Sequence, residues 1–343
     1  MIALPGGDVM KATALSKETL RATKRSSWGS GEIKRHIAYL IMLLPGIIFL
    51  FVFSYLPLPT IVMAFKKYQL AIPPADHWLQ NKFLYALFYK SPWVGFENFK
   101  FILDAPQFPI FMRNTIGYNL VFMAVGLIAA VGIAVGINEL RQRKLAKLYH
   151  TILFLPYFLS WIIVTYILYA FISPAGVIPQ AFKALGLEAP QLYNNAGAWP
   201  FIYVIFNLWK YAGNGSIIYL STITGFSQEL YEAAAIDGAG KWKQFIYVTL
   251  PQLVPTIILL QILAVGRILN ADFDMFYNLR NGASAAYQNS LTIDVYVYEM
   301  IASNPSKLYY PAAAAFFQSL IGFVLVLTTN AIVRKVEPEM AMF

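Results

Sequence analysis

The sequence contains no cysteine, so it can hold no disulfide and no thiolate ligand or nucleophile. Histidine is nearly as scarce. His36, His77 and His150 are the only three, they lie far apart, and none fits an H-x-x-x-H spacing, so no metal site is expected. Charge is thin as well: 13% of the 343 residues are Asp, Glu, Lys or Arg, against 58% hydrophobic. A soluble domain of this length needs more charge to cover its surface. No nucleophile elbow and no Gly-rich dinucleotide loop occurs. The stretch "GAGKW" (238–242) fails as a phosphate loop, because Ala235 and Trp242 stand where that pattern needs Gly and Ser or Thr.

What the chain does have is apolar length. Its mean hydropathy is +0.56, and aromatic residues reach 16%, consistent with belts at membrane interfaces. Six stretches are long and apolar enough to span a bilayer: 37–65, 115–137, 151–172, 199–223, 253–273 and 312–333. The first holds Pro45, Pro57 and Pro59 and should tilt or kink. A cleaved signal peptide is not expected, since the first 36 residues are polar and the apolar run after them is too long for one. The fold class is therefore an all-α polytopic membrane protein. A basic tail covers 1–36, a transmembrane domain 37–335 with a polar loop at 227–251, and a second tail 336–343.

The net charge of +9 reads as a topology signal, and no nucleic-acid partner is expected. With the N-terminus inside, the inner segments 1–36, 138–150, 224–252 and 334–343 carry 15 Lys and Arg, and the outer segments carry 9. The positive-inside rule then places both termini in the cytoplasm. The outer loop 67–114 is long and aromatic, and should lie on the membrane surface or cap the bundle. In the second span, Gly132 and Gly136 form a small-xxx-small pair suited to close helix packing or to a sliding contact.

The polar stretch "SQELYEAAAIDGAGKWKQFIYVTLPQLVP" (227–255) interrupts this apolar pattern. Ser227 suits an N-cap, Glu229 and Glu232 complement the helix dipole, and Gly238 suits the left-handed turn that closes a helix. A second helical run follows from Lys241 to Leu250, with Pro251 expected to stop it. Ala233, Ala234 and Ala235 leave a surface on which a partner could seat closely, with Glu232 free for a charge-assisted bond. On physical grounds alone, a docking knob and a merely solvated inner loop are equally good readings.

The segment resembles the EAA signature of permease subunits of binding-protein-dependent ABC importers. The matching positions are Glu232, Ala233, Ala234, Asp237, Gly238, Ala239, Leu250, Pro251 and Pro255. Softer similarities at 91–103, 155–164 and 208–225 point to the carbohydrate branch, nearest to importers of acidic oligosaccharides of the aldouronate and alginate kind. The resemblance spans about residues 37–335. It implies a type I importer permease fold in the bacterial inner membrane, paired with a second permease subunit, two ATPase subunits and an extracytoplasmic solute-binding protein. It also implies that Glu232, Ala233, Ala234, Asp237, Gly238 and Ala239 couple to the ATPases. ATP and Mg would belong to those partners, with no cofactor in this chain and no enzymatic activity of its own.

Few ionisable groups fall inside the expected spans: Lys210 in the fourth, Arg267 and Asp272 in the fifth. Each costs about 2.5–3.5 kcal/mol near mid-bilayer, so each should face a cavity or a partner. They could form a structural Lys210–Asp272 or Arg267–Asp272 pair. Alternatively, with Asn214 and Asn270, and with Asn207 and Gln261 nearby, they could line an oligosaccharide pathway. Around "GRILNADFD" the sequence departs from close relatives of the family, so no substrate role is carried over there. Two other functions stay open: a permease for another solute such as glycerol phosphate, and a membrane-embedded enzyme.

Overall fold

The computed structural model describes residues 30–343, with side chains from Arg35 onward. Most of the basic tail expected over 1–36 thus lies outside the described residues. Among these residues the chain is helical, with no strand and a single isolated antiparallel bridge between Lys66 and Trp93. It divides into two units, residues 1–60 and 61–343.

In the first unit, α1 (Ser30–Leu50) carries Pro45 in its interior and passes into a wider π turn, Phe51–Tyr55, in which Leu56 N donates to Phe51 O at 2.8 Å. Every side chain from Arg35 to Pro59 is exposed, including the apolar ones. Such a helix requires lipid or another protein around it.

The second unit contains α2 (Phe108–Asn138), α3 (Arg143–Phe154), α4 (Trp161–Ile172), α5 (Val177–Ala184), α6 (Trp199–Thr224), α7 (Gln228–Ile236), α8 (Leu250–Val265), α9 (Phe273–Leu279), α10 (Ile293–Ser303) and α11 (Tyr309–Val336). Long α2 and α6 pack along each other, closely enough that a Cβ added at Gly215 would lie 3.4 Å from that of Ala130. One end of the bundle is filled by Phe111, Trp161, Trp199, Tyr203, Phe276 and Ile293, another part by Ala134, Tyr219, Ile223 and Leu253. The aromatic loop folds back onto α11. Phe65 meets Phe316 at 5.1 Å, Phe101 stacks on Tyr310 at 4.2 Å, and Asn98 Nδ2 donates to the carbonyls of Ala64 and Lys66.

Among the described residues five stretches are long and apolar enough to cross a membrane: Arg35–Phe65, Phe108–Asn138, Trp161–Ala184, Lys241–Val265 and Tyr309–Val336. The fourth expected span, 199–223, forms the continuous helix α6 of 26 residues. That is length enough to cross, but its Asn, Lys, Gly and Ser dilute its apolar character.

Three expectations are corrected by the fold. The span 151–172 is broken: α3 ends at Phe154, Leu155–Phe158 tightens into a 3₁₀ turn around Pro156, and Ser160 caps α4 by accepting from Ile163 N. The span 253–273 ends at Val265, so Arg267 and Asp272 lie beyond the helix and not within it. Pro251 does not end a helix. A π turn over Phe245–Thr249 admits its ring, the side chain of Gln252 donates to Val248 O at 2.9 Å, and the helix runs on to Val265.

Within this chain the close-packing reading of the Gly132–Gly136 pair is corrected as well. A Cβ on Gly132 or Gly136 would meet nothing within 4 Å; both line a cavity of about 310 Å³ beside Trp242. The close approaches occur elsewhere. A Cβ on Gly213 would sit 2.1 Å from Leu153 O, and one on Gly322 would sit 2.2 Å from Gly266 O.

Candidate functional site

The two breaks create a polar junction inside an apolar bundle. A chain break in such surroundings frees backbone groups, and these need internal partners. At the first break, the ammonium of Lys210 donates to the carbonyls of Tyr157 (3.0 Å) and Leu159 and approaches that of Pro156 (3.5 Å). Gly213, one turn further along α6, lets the helix lean onto Leu153 so that Lys210 can reach. Lys210 is 6% exposed and lies among the rings of Tyr157, Trp161 and Tyr211 at 5.2–5.9 Å.

At the second break, residues 266–272 are held from several directions. Asn119 Nδ2 donates to Ile268 O (2.8 Å) and Asn270 O (3.1 Å), and Gln318 Nε2 donates to Leu269 O (2.7 Å). Ala271 N donates to Asp294 Oδ2 at 2.7 Å. Asp272 Oδ1 accepts from Met275 N and so caps α9, while its Oδ2 accepts from Trp161 Nε1 (2.9 Å) and the Tyr211 hydroxyl (2.6 Å). Asp272 thus ties the second break to the helix that follows the first.

This geometry corrects the pairing expected from sequence. Among the described residues neither Lys210–Asp272 nor Arg267–Asp272 is an ion pair; the two that form are Lys241–Glu139 and Arg280–Glu299. Lys210 is occupied by carbonyls, and Asp272 by an indole, a phenol and a backbone amide. Arg267 and Asn270 are exposed at the turn, and Asn214 is half-buried on α6. Asn207 Nδ2 contacts Met275 Sδ at 3.9 Å, and Gln261 lines the same cavity as Asn207, of about 240 Å³. The clamps from Asn119, Asp294 and Gln318 were not singled out in the sequence. The available signal was an isolated polar residue inside or beside an apolar stretch.

The polar hairpin forms as expected over 227–240. Ser227 Oγ accepts from Glu229 N at 3.3 Å. At the far end, Gly238 has φ +79°, its N donates to Ala235 O, and Ala239 N donates to Ala234 O, a complete Schellman closure. Two side-chain bonds fix the hairpin to the following helix: Tyr231 Oη to Thr249 Oγ1 at 3.0 Å, and Gln244 Nε2 to Ala239 O at 3.0 Å. Lys241 pairs with Glu139 beyond the end of α2 at 2.8 Å. Glu232, Ala233, Asp237 and Gly238 are exposed, and Ala234 and Ala239 are half-buried. Ile236 is 87% exposed and Trp242 71%, so apolar side chains surround an alanine face with no bulk on it. The hairpin is a rigid projection continuous with α8.

A helical bundle with polar broken-helix junctions and a rigid projecting hairpin defines a membrane transport permease. The chain belongs to the family of binding-protein-dependent transport system inner membrane components, which it matches over residues 122–342. Among similar proteins, LplB of Bacillus subtilis (strain 168) is 31% identical over 321 residues, 93% of this chain and 95% of that protein. The polygalacturonan/rhamnogalacturonan transport system permease protein YteP of the same organism is 29% identical over 96% of this chain and 97% of its own length. A chain in the crystal structure of a bacterial ABC transporter involved in the import of the acidic polysaccharide alginate superposes with a TM-score of 0.73 at 29% identity, covering 90% of this chain and 98% of that one. The fold is thus that of a type I ABC importer permease, and the family makes the chain a transporter subunit and not an enzyme.

Proposed function

We propose that this chain is one of two permease subunits of an ATP-driven importer of oligosaccharides, with uronate-rich chains as the substrate class. The observation that carries this reading is the near end-to-end similarity to a chain of an importer of an acidic polysaccharide and to a permease named for polygalacturonan and rhamnogalacturonan. A related crystal structure, with TM-score 0.73 and 30% identity, holds the alginate transporter together with a pentasaccharide-bound periplasmic protein, and supports a solute-binding protein as partner here.

In this reading the second permease completes the pathway, and two ATPase subunits dock on the hairpin at Glu232, Ala233, Ala234, Asp237, Gly238 and Ala239. ATP and Mg stay with those subunits. Closure of the ATPases moves α7, and the bonds from Tyr231 and Gln244 pass the motion to α8 and the polar junction. Arg267, Asn270 and Asn214 are the side chains left available to a sugar there. Lys210 and Asp272 hold the junction's shape. Both termini face the cytoplasm of the bacterial inner membrane, as the Lys and Arg bias supports.

Uptake of labelled trigalacturonate and galactotriose by cells with and without the transporter tests the substrate class. Uptake of the acidic oligomer should depend on this chain, and its survival without the chain would refute the reading. For orientation, single cysteines at Ser30, Ser284 and Met340 are treated with an impermeant thiol reagent in cells with a permeable outer membrane. Labelling is expected at Ser284 alone, and labelling at either terminus overturns the assignment.

A further inference from the structure

The hairpin lies at one end of α8, and the segment 273–308 follows its other end. There the chain borders an open pocket of about 670 Å³, lined by Tyr277, Asn278, Arg280, Asn281, Ser284 and Tyr287 among others. Neither the coupling hairpin nor the polar junction uses it. The other cavities are less specific. The one at Lys67 and Lys100 is balanced by Glu97 and Asp104, and the one beside Phe201 is almost wholly apolar in its lining.

The cavity around Arg280 is built and not merely open. Arg280 Nη2 donates to Glu299 Oε1 at 2.7 Å, and Glu299 Oε2 accepts from the Tyr287 hydroxyl at 3.0 Å. The guanidinium lies 5.0 Å from the Tyr277 ring centroid and 5.4 Å from that of Tyr287, a spacing that holds it by cation–π attraction. The Arg280 and Glu299 side chains are 14% and 28% exposed. Arg280 Nη1 is buried with no partner, so the head group keeps a donor that the protein does not use. The floor turns sharply through Asn281 (φ +40°) and Gly282 (φ +79°), and the Tyr193 hydroxyl pins it by donating to Asn281 O at 2.8 Å.

These groups match one ligand chemistry. The exposed ring of Tyr287 offers a flat face to the C–H face of a pyranose, side-chain amides serve neighbouring hydroxyls, and a planar guanidinium favours a carboxylate. The volume falls in the usual range for small-ligand sites. We propose that this cavity is a receiving site for a uronate unit of the oligosaccharide, separate from the polar junction. Asn278, Asn281 and Tyr287 would contact the sugar and Arg280 its carboxylate. The proposal rests on the acidic-oligosaccharide reading above.

The chain is free of cysteine, so a single cysteine at the exposed Ser284 reports on the cavity alone. The full importer carrying Ser284→Cys, in lipid nanodiscs, is treated with N-ethylmaleimide and the mass of this chain is followed. Trigalacturonate should slow labelling, and galactotriose should do so much less. The trigalacturonate concentration needed should rise about tenfold when the charge-assisted contact is removed. Two added changes test the lining: Tyr287→Ala, which trims an exposed ring, and Arg280→Gln with Glu299→Gln, which replaces the ion pair by neutral amides without stranding a charge. Each should weaken protection. No protection in the wild-type background, equal protection by both sugars, or protection unchanged in both variants overturns the proposal. Uptake of trigalacturonate by the unmodified importer is measured alongside. Uptake without protection defeats the receiving site alone, whereas loss of the transport reading shows as absence of chain-dependent uptake.

Discussion

The Tyr211 hydroxyl donates to Asp272 Oδ2 at 2.6 Å, joining the middle of α6 to the turn that follows α8. The same carboxylate caps α9 and accepts from Trp161. Removing it takes away a cap worth about 1 kcal/mol and leaves a half-buried phenol and a buried indole without their acceptor, at about 1–3 kcal/mol each if neither finds another. Asp272→Ala should therefore lower the midpoint of thermal unfolding in detergent clearly, and Asp272→Asn by less. Arg267→Gln should leave it unchanged. Equal destabilisation by Arg267→Gln would mean that Asp272 depends on Arg267 after all.

The glycines provide a second test, since two pairs in one chain should behave oppositely. A Cβ at Gly213 or Gly322 meets a backbone carbonyl at 2.1 or 2.2 Å, so helices must separate. Overpacking of this kind costs about 1–3 kcal/mol, and Gly213→Ala should also loosen Lys210 from its carbonyls. Gly132→Ala and Gly136→Ala meet open space within this chain and should be neutral or slightly stabilising, by up to about 1 kcal/mol of helix propensity. Unfolding midpoints of the four single variants decide it. A loss at Gly132 or Gly136 in the isolated chain would contradict the packing described.

The contrast between these pairs also shows what the sequence could convey. The hairpin was legible because its signals are local: a capping Ser227, a left-handed Gly238, and helix formers between them. The all-α class and most span positions follow from hydropathy for the same reason. The breaks at 155–160 and 266–272 were not legible. Hydropathy averages over a window, and the groups that make the breaks tolerable come from far away in sequence. Lys210 reaches Leu159 across 51 residues, and Asn119 reaches Ile268 across 149. Glycine spacing likewise names a surface without naming the helix that meets it. Of the ionisable residues expected to need partners, Lys210 is buried, Asp272 half-buried and Arg267 exposed, and the partners of the first two are carbonyls, an indole, a phenol and a backbone amide in place of each other.

For coupling, Glu232 is exposed on α7, so its reversal should not disturb the bundle. Glu232→Lys should abolish transport and saccharide-stimulated ATP hydrolysis together in the reconstituted importer, with normal expression and assembly. A charge-assisted contact of about 1.5–3 kcal/mol would be lost and replaced by repulsion. Stimulation at the wild-type level in the variant would remove Glu232 from the coupling surface.

Asp294 predicts a pH dependence. Burial pushes its carboxyl above the usual carboxylate range, an effect only partly offset by the bonds from Ala271 N and Gln318. The folded state then binds this proton more readily than the unfolded state. The stabilisation is present when Asp294 is protonated and is lost as pH rises through the raised value. As pH rises from about 4, the ordinary Asp value, through the raised one, the wild-type unfolding midpoint should drop more than that of Asp294→Asn, which retains an acceptor for Ala271 N. Parallel drops in the two proteins would show that Asp294 does not carry the dependence.

The two cations near the junction, Lys210 and Arg267, should behave differently when replaced. Lys210 is 6% exposed and spends its donors on the carbonyls of Tyr157 and Leu159. Lys210→Met would strand those carbonyls in an apolar setting, so it should lower folded yield and impair uptake of any sugar alike. Arg267 is exposed, has no ion pair among the described residues, and carries a fork suited to carboxylates. Its attraction must stay weak enough for release, as conduction through any pathway requires. Arg267→Gln should therefore leave assembly intact and reduce uptake of trigalacturonate far more than that of galactotriose. Competitive uptake of the two labelled oligomers gives the ratio directly. An unchanged ratio in Arg267→Gln, with uptake of both reduced equally, would assign Arg267 to structure and leave the charge of the substrate to be read elsewhere in the importer.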